Sequence, residues 1–449
     1  MRSSLVRTLS TLALFLAAAA GWASPASAQD AWAFTDVTVL PMDAERTLEA
    51  RTVVVENGVI TAVGHVDSVS VPDGATTIDG TGRYLMPGLA EMHAHVPPAQ
   101  QRPPAETLDD IFFLYIANGI TTIRGMLGSP YQIDLREEIR AGQHLAPSFY
   151  VAAPSLNGNT APTPQDAERL MRAAAAGGYD LMKIHPGVPR DAWDRMVEVA
   201  EEVGLTFAGH VPQEVGVEYA IQTGMSTIDH MDGFLRAASR PDGSYDNTKM
   251  RELAARAARA GVYIVPTQYL WENLNGARSA DEVLDNPEMR YVSRQQRESW
   301  RNRASGGSGR SPEELRTFLD ARDAQLRYLA EAGAPLLMGT DSPQLFNVPG
   351  FALYWEIREM AEAGLTNFQI LESGTRNVGE YVQKELGYDD LFGLVAPGHR
   401  ADLVLLHGNP LESLDNLQAR VGVMVRGRWV PVEEIGRGLE ALEAKHAGG

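Results

Sequence analysis

Cysteine is absent from this chain of 449 residues. That excludes disulfides, thiolate nucleophiles and Cys-ligated zinc or iron–sulfur centres, and leaves His, Asp, Glu and Lys for any metal chemistry. Positive charge is also short: 39 Lys and Arg face 58 Asp and Glu, for a formal net charge of −19. Nothing in that balance would neutralise a phosphate backbone, so no nucleic-acid partner is expected. Long apolar runs are missing as well. The run at 12–20 falls short of the about 20 residues that a bilayer span requires. It lies instead in a leader pattern, with Arg2 and Arg7 before it and Ala26-Ser27-Ala28 after it. The pattern predicts a signal peptide over 1–28, cleaved after Ala28, and a product released into a periplasmic or extracellular space without membrane attachment. What remains is ordinary for a globular protein, with 44% hydrophobic and 22% charged residues, and long enough for a large core. Oligomeric state is left open, a homo-oligomer being compatible with the sequence.

Two textures alternate along the chain. Residues 33–40, 51–56, 59–64 and 76–79 are short and rich in β-branched side chains, with turn signals such as Asn57-Gly58 between them. From Tyr84 onward, apolar strands alternate with helical Ala/Glu/Arg-rich segments. Eight strands are predicted, at 84–96, 121–126, 148–155, 181–185, 206–211, 227–231, 263–270 and 335–341. Eight such repeats predict an α/β chain with a closed (β/α)8 TIM-like barrel, and no Gly-rich dinucleotide-binding turn follows any strand. Short strands return at 393–406 and 421–430. The expected layout is a small β-sandwich built from 29–84 and 379–435, a barrel over 85–378, and a C-terminal tail at 436–449. Residues 271–311 interrupt the barrel after its seventh strand and are expected to form a lid over the mouth.

Ten His are present, and several fall at strand ends. His93 and His95 form an H-x-H pair whose side chains share the inward face of the first barrel strand. His210, His230 and Asp341 end later strands, and Lys183 lies near the end of the fourth. The C-terminal rim is where the catalytic groups of a barrel converge, and four His, one Asp and one Lys there suit divalent metals with N/O ligands. An ammonium beside two cations is electrostatically untenable. Lys183 is therefore either carboxylated to a bridging carbamate or, in a one-metal site, a hydrogen-bond donor to substrate. His144 lies before the third strand, away from this rim; His65, His399, His407 and His446 fall in sandwich or tail.

The run Leu85-Met86-Pro87-Gly88-Leu89-Ala90-Glu91-Met92-His93-Ala94-His95 resembles the opening strand of the amidohydrolase superfamily of metal-dependent hydrolases. The run from Gly393 to Leu406, with Ala396-Pro397-Gly398-His399-Arg400-Ala401-Asp402-Leu403 at its centre, is similar to that superfamily's closing sandwich segment. The branch it looks most like is the imidazolonepropionase-like group that includes Xaa-Pro dipeptidases and ochratoxin-type amidases. The resemblance implies two divalent ions, with zinc favoured by the His-rich set. His93, His95 and Asp341 would hold one, His210 and His230 the other, and carboxylated Lys183 would bridge them. Where relatives often read Arg-Asp after the second strand, this chain has Arg124-Gly125.

The function so implied is hydrolysis of an amide-type C–N bond in a small molecule or short peptide, such as an N-acyl amino acid or Xaa-Pro-like dipeptide. Asp341 would be the catalytic proton carrier. Ester or lactone hydrolysis and deamination use the same kind of site, and a non-catalytic binding protein is the reading from another class. His185, Gln268, Tyr269 and Arg124 are the candidate substrate contacts. His185 equally suits support of a ligand, and Gln268 and Tyr269 equally suit rim packing. Arg290, Arg294, Arg297 and Arg301 recur at helical spacing in the insert; they would either clamp a substrate carboxylate or form a solvated face.

Overall fold

The computed structural model describes residues 31–304 and 309–447; the predicted leader lies outside them. The described residues open with five strands: β1 (Ala31–Val39), β2 (Leu48–Glu56), β3 (Val59–His65), β4 (Thr76–Asp79) and β5 (Tyr84–Pro87). The turn between β2 and β3 is Asn57-Gly58, and both residues take positive φ (53° and 79°), as a two-residue hairpin turn requires. Seven barrel strands follow: β6 (Leu89–Ala94), β7 (Ile120–Gly125), β8 (Ser148–Val151), β9 (Met182–Ile184), β10 (Phe207–Gly209), β11 (Thr227–Asp229) and β12 (Tyr263–Val265). The chain then returns through β13 (Leu403–Leu406), β14 (Arg420–Val425) and β15 (Arg428–Pro431).

Both chain ends share one sheet, in the order β15-β14-β13-β5-β1-β2-β3 with β4 beside β1. It closes over its own core of Phe34, Val53, Leu85, Leu403 and Met424, all fully buried. The predicted strand 84–96 is thus two strands. They part at Gly88, whose N–H donates to the Asp402 carbonyl at 2.8 Å and where a Cβ would lie 2.3 Å from Thr121.

In the barrel, β6-β7-β8 and β9-β10-β11-β12 are parallel runs. Bridges Ala152–Leu181, Ile264–Leu336 and Ala94–Ser342 carry the ring through the remaining junctions. The eighth segment forms no named strand; it meets its neighbours through isolated bridges at Leu336 and Ser342 and through the Met338 carbonyl, which accepts the Met92 N–H at 2.8 Å. The Glu91 carboxylate takes the Thr340 N–H (2.8 Å) and hydroxyl (2.6 Å), which removes Thr340 from the strand ladder. The seventh strand also ends early, at Val265. Thr267 has φ 50°, and the Glu356 carboxylate accepts the next two N–H groups, so Gln268–Asn275 is a helix.

Helix Arg376–Glu385 packs Val378, Tyr381 and Val382 against Met92, Tyr263 and Leu337. Residues 379–385 therefore belong with the barrel rather than the end sheet, and the tail helix already begins at Val432. The insert folds as helices Ala280–Leu284 and Arg294–Ala304 with a 3-10 turn between them. Its Val283, Met289 and Trp300 pack on Leu345, Phe346 and Val348, which follow the eighth segment. The long helix Pro312–Glu331 returns the chain to the barrel. It is started by a capping box in which Ser311 and Glu314 exchange hydrogen bonds. Among the described residues, no helix is long and apolar enough to cross a membrane.

Candidate metal centre

The inward alternation of β6 places Glu91, His93 and His95 on one face. His95 Nε2 lies 2.5 Å from Asp341 Oδ1, and His93 Nε2 lies 3.7 Å from the same oxygen. His230 Nε2 is 3.9 Å from the other oxygen, Oδ2. His93, His230 and Asp341 each offer a ligand atom, all within 4.8 Å of one another. Lys183 is fully buried, its Nζ 3.3 Å from His93 Nε2. The His210 and His230 rings are 4.6 Å apart, centre to centre. All six residues predicted from strand ends thus meet at one place.

Three of the imidazoles are also held from behind. His93 Nδ1 lies 3.0 Å from Asp229 Oδ2, His230 Nδ1 is hydrogen-bonded to Thr267 Oγ1 at 2.8 Å, and His210 Nδ1 to Asp232 Oδ2 at 3.2 Å. Such partners fix the tautomer and aim Nε2 inward. His230 Nε2 is buried with no hydrogen-bond partner among the described residues.

Protonation states follow from burial and charge. Burial drives the His93 and His230 imidazoles well below their usual range, aided by Lys183 at His93 and by His210 at His230. Burial alone would raise the Asp341 carboxyl, but His93 and His95 pull it down to about 2. Burial likewise pushes the Lys183 amine down, against the pull of Asp229 and Asp341. Neutral imidazoles and an ionised carboxylate are the states that a divalent cation demands, so the donor set fits one.

The remaining candidates separate. His185 stacks on His210 at 5.2 Å, and burial, with Lys183 next, takes its imidazole down to about 3. It belongs to the site. Arg124 does not reach the rim. It is fully buried and donates to Met92 O (2.7 Å), Tyr381 Oη (2.9 Å), Thr227 Oγ1 (3.1 Å) and Asp229 Oδ1 (3.2 Å). Its task is to hold the carboxylate behind His93. Gln268 and Tyr269 do not end a strand; they open a buried helix, where Gln268 donates to Asp323 and Tyr269 stacks on Trp355. The insert arginines are engaged elsewhere: Arg294 with Glu298, Arg301 with Asp281, Arg290 with Glu443, and Arg297 with the Met289 carbonyl. They form the solvated face.

Sequence reasoning passed over Asp229, Thr267, Asp232 and Glu91. Glu91 carried a signal, since it shares the face of His93. Its carboxyl also accepts the His93 N–H (3.0 Å), and burial lifts it to about 8 despite these hydrogen bonds.

A model of the amidohydrolase family matches residues 84–430. The chain belongs to the amidohydrolase family. An enamidase of Eubacterium barkeri is 34% identical over 113 residues, 24% of this amidohydrolase and 28% of that protein. An adenine deaminase of Ligilactobacillus salivarius is 22% identical over 386 residues, 82% of this chain and 52% of the other. The chain therefore spans about half or less of these curated relatives. Among solved structures, a bottromycin amidohydrolase shares the fold with TM-score 0.73 and 24% identity, covering 92% of this chain and 90% of that one. A putative prolidase from Bifidobacterium longum gives 0.68 and 23%, over 92% and 99%.

Proposed function

We propose that this amidohydrolase cleaves an amide-type C–N bond in a small molecule or short peptide after export from the cytoplasm. The observation that carries the reading is the meeting of the Asp341 carboxylate with His93, His95 and His230 beside the buried Lys183. His93, His95 and Asp341 would hold one divalent ion, His210 and His230 a second, with Lys183 between them. Such ions, zinc by the donor set, would polarise a carbonyl and lower the pKa of a water toward about 7.

The chain's own residues supply the rest. Asp341 accepts a proton as the water oxygen bonds to the carbonyl carbon, and it returns that proton to the nitrogen as the C–N bond breaks. Asp229, Thr267 and Asp232 hold the imidazoles in a single orientation, so little reorganisation accompanies the reaction. Burial favours the neutral amine of Lys183, the form that adds carbon dioxide, with loss of one proton, to give a carbamate. Ammonia release from an aminopurine is the second reading, supported by the match to an adenine deaminase over 82% of the chain.

The test is metal analysis of purified protein beside a panel of N-acyl amino acids, Xaa-Pro dipeptides, lactones and adenine. Two ions per chain and release of an amine from the acylated compounds are expected. Lys183→Ala should lower the metal content, with activity partly restored by short carboxylates. One ion and an unmodified Lys183 would overturn the two-metal site, and ammonia from adenine alone would overturn amide cleavage. N-terminal sequencing of protein from the periplasmic fraction should begin at Gln29.

A further inference from the structure

A cleft of about 250 Å³ opens beside His230, between the loop after β11, the start of the insert and helix Pro312–Glu331. Its walls are aromatic: Trp271 and Phe318 meet edge to face at 5.8 Å, with Tyr245 also in the lining. Three arginines reach it, Arg236, Arg310 and Arg322. The Arg310 guanidinium donates through Nη1 to Asn275 Oδ1 and lies 4.2 Å from the Phe318 ring centre, and that of Arg322 lies 4.8 Å from Trp271.

The hydrogen-bonding capacity of the lining is one-sided. Arg322 is 3% exposed; it donates to the His230 carbonyl (3.0 Å) and the Pro266 carbonyl (2.9 Å), while its Nε has no partner among the described residues. Trp271 Nε1 is likewise buried, with no partner among the described residues. Asp232 is the one carboxylate among the described lining residues, and it is already engaged by His210, the Val211 N–H and Arg236. A buried donor without an acceptor is costly to keep, and an acceptor-bearing ligand recovers that cost. Positive charge gathered here also runs against the −19 of the whole chain. The volume lies just under the roughly 300–1,000 Å³ of drug-sized sites, so it suits a group the size of one amino acid.

We propose that this cleft receives the carboxylate-bearing half of the substrate: a single amino-acid unit with a free carboxylate and a flat or apolar side chain. The carboxylate meets the Trp271 and Arg310 donors, and the side chain lies against Trp271 and Phe318. The inference rests on the amide-hydrolysis reading, and it assigns to the cleft the recognition that the insert arginines do not perform.

Trp271→Phe, which keeps a ring and deletes the N–H, and Arg310→Gln test it; Arg322 stays intact because it also holds His230. For N-acyl-phenylalanine and its carboxamide, release of the acyl group should favour the acid in the parent. That ratio of kcat/KM should fall about tenfold in either variant, through KM, with metal content retained. Calorimetric titration with 3-phenylpropionate against 3-phenylpropionamide reads the same preference without turnover. A ratio and a binding preference unchanged in both variants would overturn the cleft assignment. Variant-sensitive binding of the acid in an enzyme that cleaves no acylated amino acid would overturn amide hydrolysis and leave the cleft standing.

Discussion

Arg124→Met is the sharpest probe of how the centre is held. Methionine keeps most of the apolar stem volume and removes the guanidinium. Four partners then lose a donor: the Met92 carbonyl, Tyr381, Thr227 and Asp229. The Met92 carbonyl left bare in a dry interior costs about 1–3 kcal/mol. Breaking a buried ion pair by removing one member costs about 3–5 kcal/mol, because the other charge stays buried without compensation. Lys183 Nζ, 4.0 Å from Asp229 Oδ2, offsets part of this. A loss of about 4 kcal/mol remains, which lowers the urea midpoint by roughly 1 M if the slope is near 3 kcal/mol/M or somewhat above.

The variant should also bind less metal. With Arg124 gone, burial raises the Asp229 carboxyl against the remaining pull of Lys183 and the Thr227 hydroxyl, so the anchor behind His93 is weakened. Adding Asp229→Leu should return at least half of the midpoint, since apolar replacement of both members of a buried pair is often neutral. It should not restore the metal. Urea titration and metal analysis on the two variants decide the matter. A single variant with the parent's midpoint and full metal content would refute the reasoning, and Arg124 would be an idle cation in the core.

Three further outcomes are expected. Asp341→Asn should fold with the parent's circular dichroism and lose turnover by orders of magnitude; near-normal kcat would remove Asp341 from proton transfer. Burial holds the Glu356 carboxyl at about 7, above its ordinary 4.5. The native state therefore keeps a proton that the unfolded chain has released, so this group's stabilisation is full below about pH 4.5 and falls as pH rises to about 7. Glu356→Gln should remove that slope from the urea midpoint, and an identical slope in the variant would clear Glu356 of it. Trp193 is fully buried, meets Phe207 edge to face at 5.4 Å and donates to Thr223 Oγ1 at 3.1 Å. Trp193→Ala should cost about 3–5 kcal/mol by thermal or urea unfolding, with the metal content of the surviving native protein unchanged.

The six side chains that meet at the centre were legible because a parallel barrel delivers strand ends to one rim, and His93, His95, Lys183, His210, His230 and Asp341 all stand near such ends. Alternation also explains why Asp229 was not. An ordinary strand would turn Asp229 outward if His230 faced in, but His230 and Met231 take φ of 64° and 50°. The chain bends there, and two successive side chains serve the same centre. Depth was equally hidden: the position of Arg124 marks its strand, while Tyr381, the partner that keeps it below the rim, lies on the helix that plugs the barrel floor.

Arg322 carries this reasoning furthest. It stands in Leu319-Asp320-Ala321-Arg322-Asp323, which reads as one more charged face of a helix, much like the insert arginines. Those find Glu298, Asp281 and Glu443 at the surface, whereas Arg322 is buried on two backbone carbonyls. The His230 carbonyl belongs to a residue in the left-handed region, and the Pro266 carbonyl immediately precedes Thr267, which is also left-handed. Backbone of that kind costs of order 1–3 kcal/mol per residue and persists only where its surroundings over-determine it. By tying both corners together, Arg322 fixes His230 and the threonine that orients it. Side chains whose partners are backbone atoms leave no pattern in a sequence, because every residue supplies a carbonyl, and so the parts of this centre that hold its geometry were the parts least visible in the amino acids.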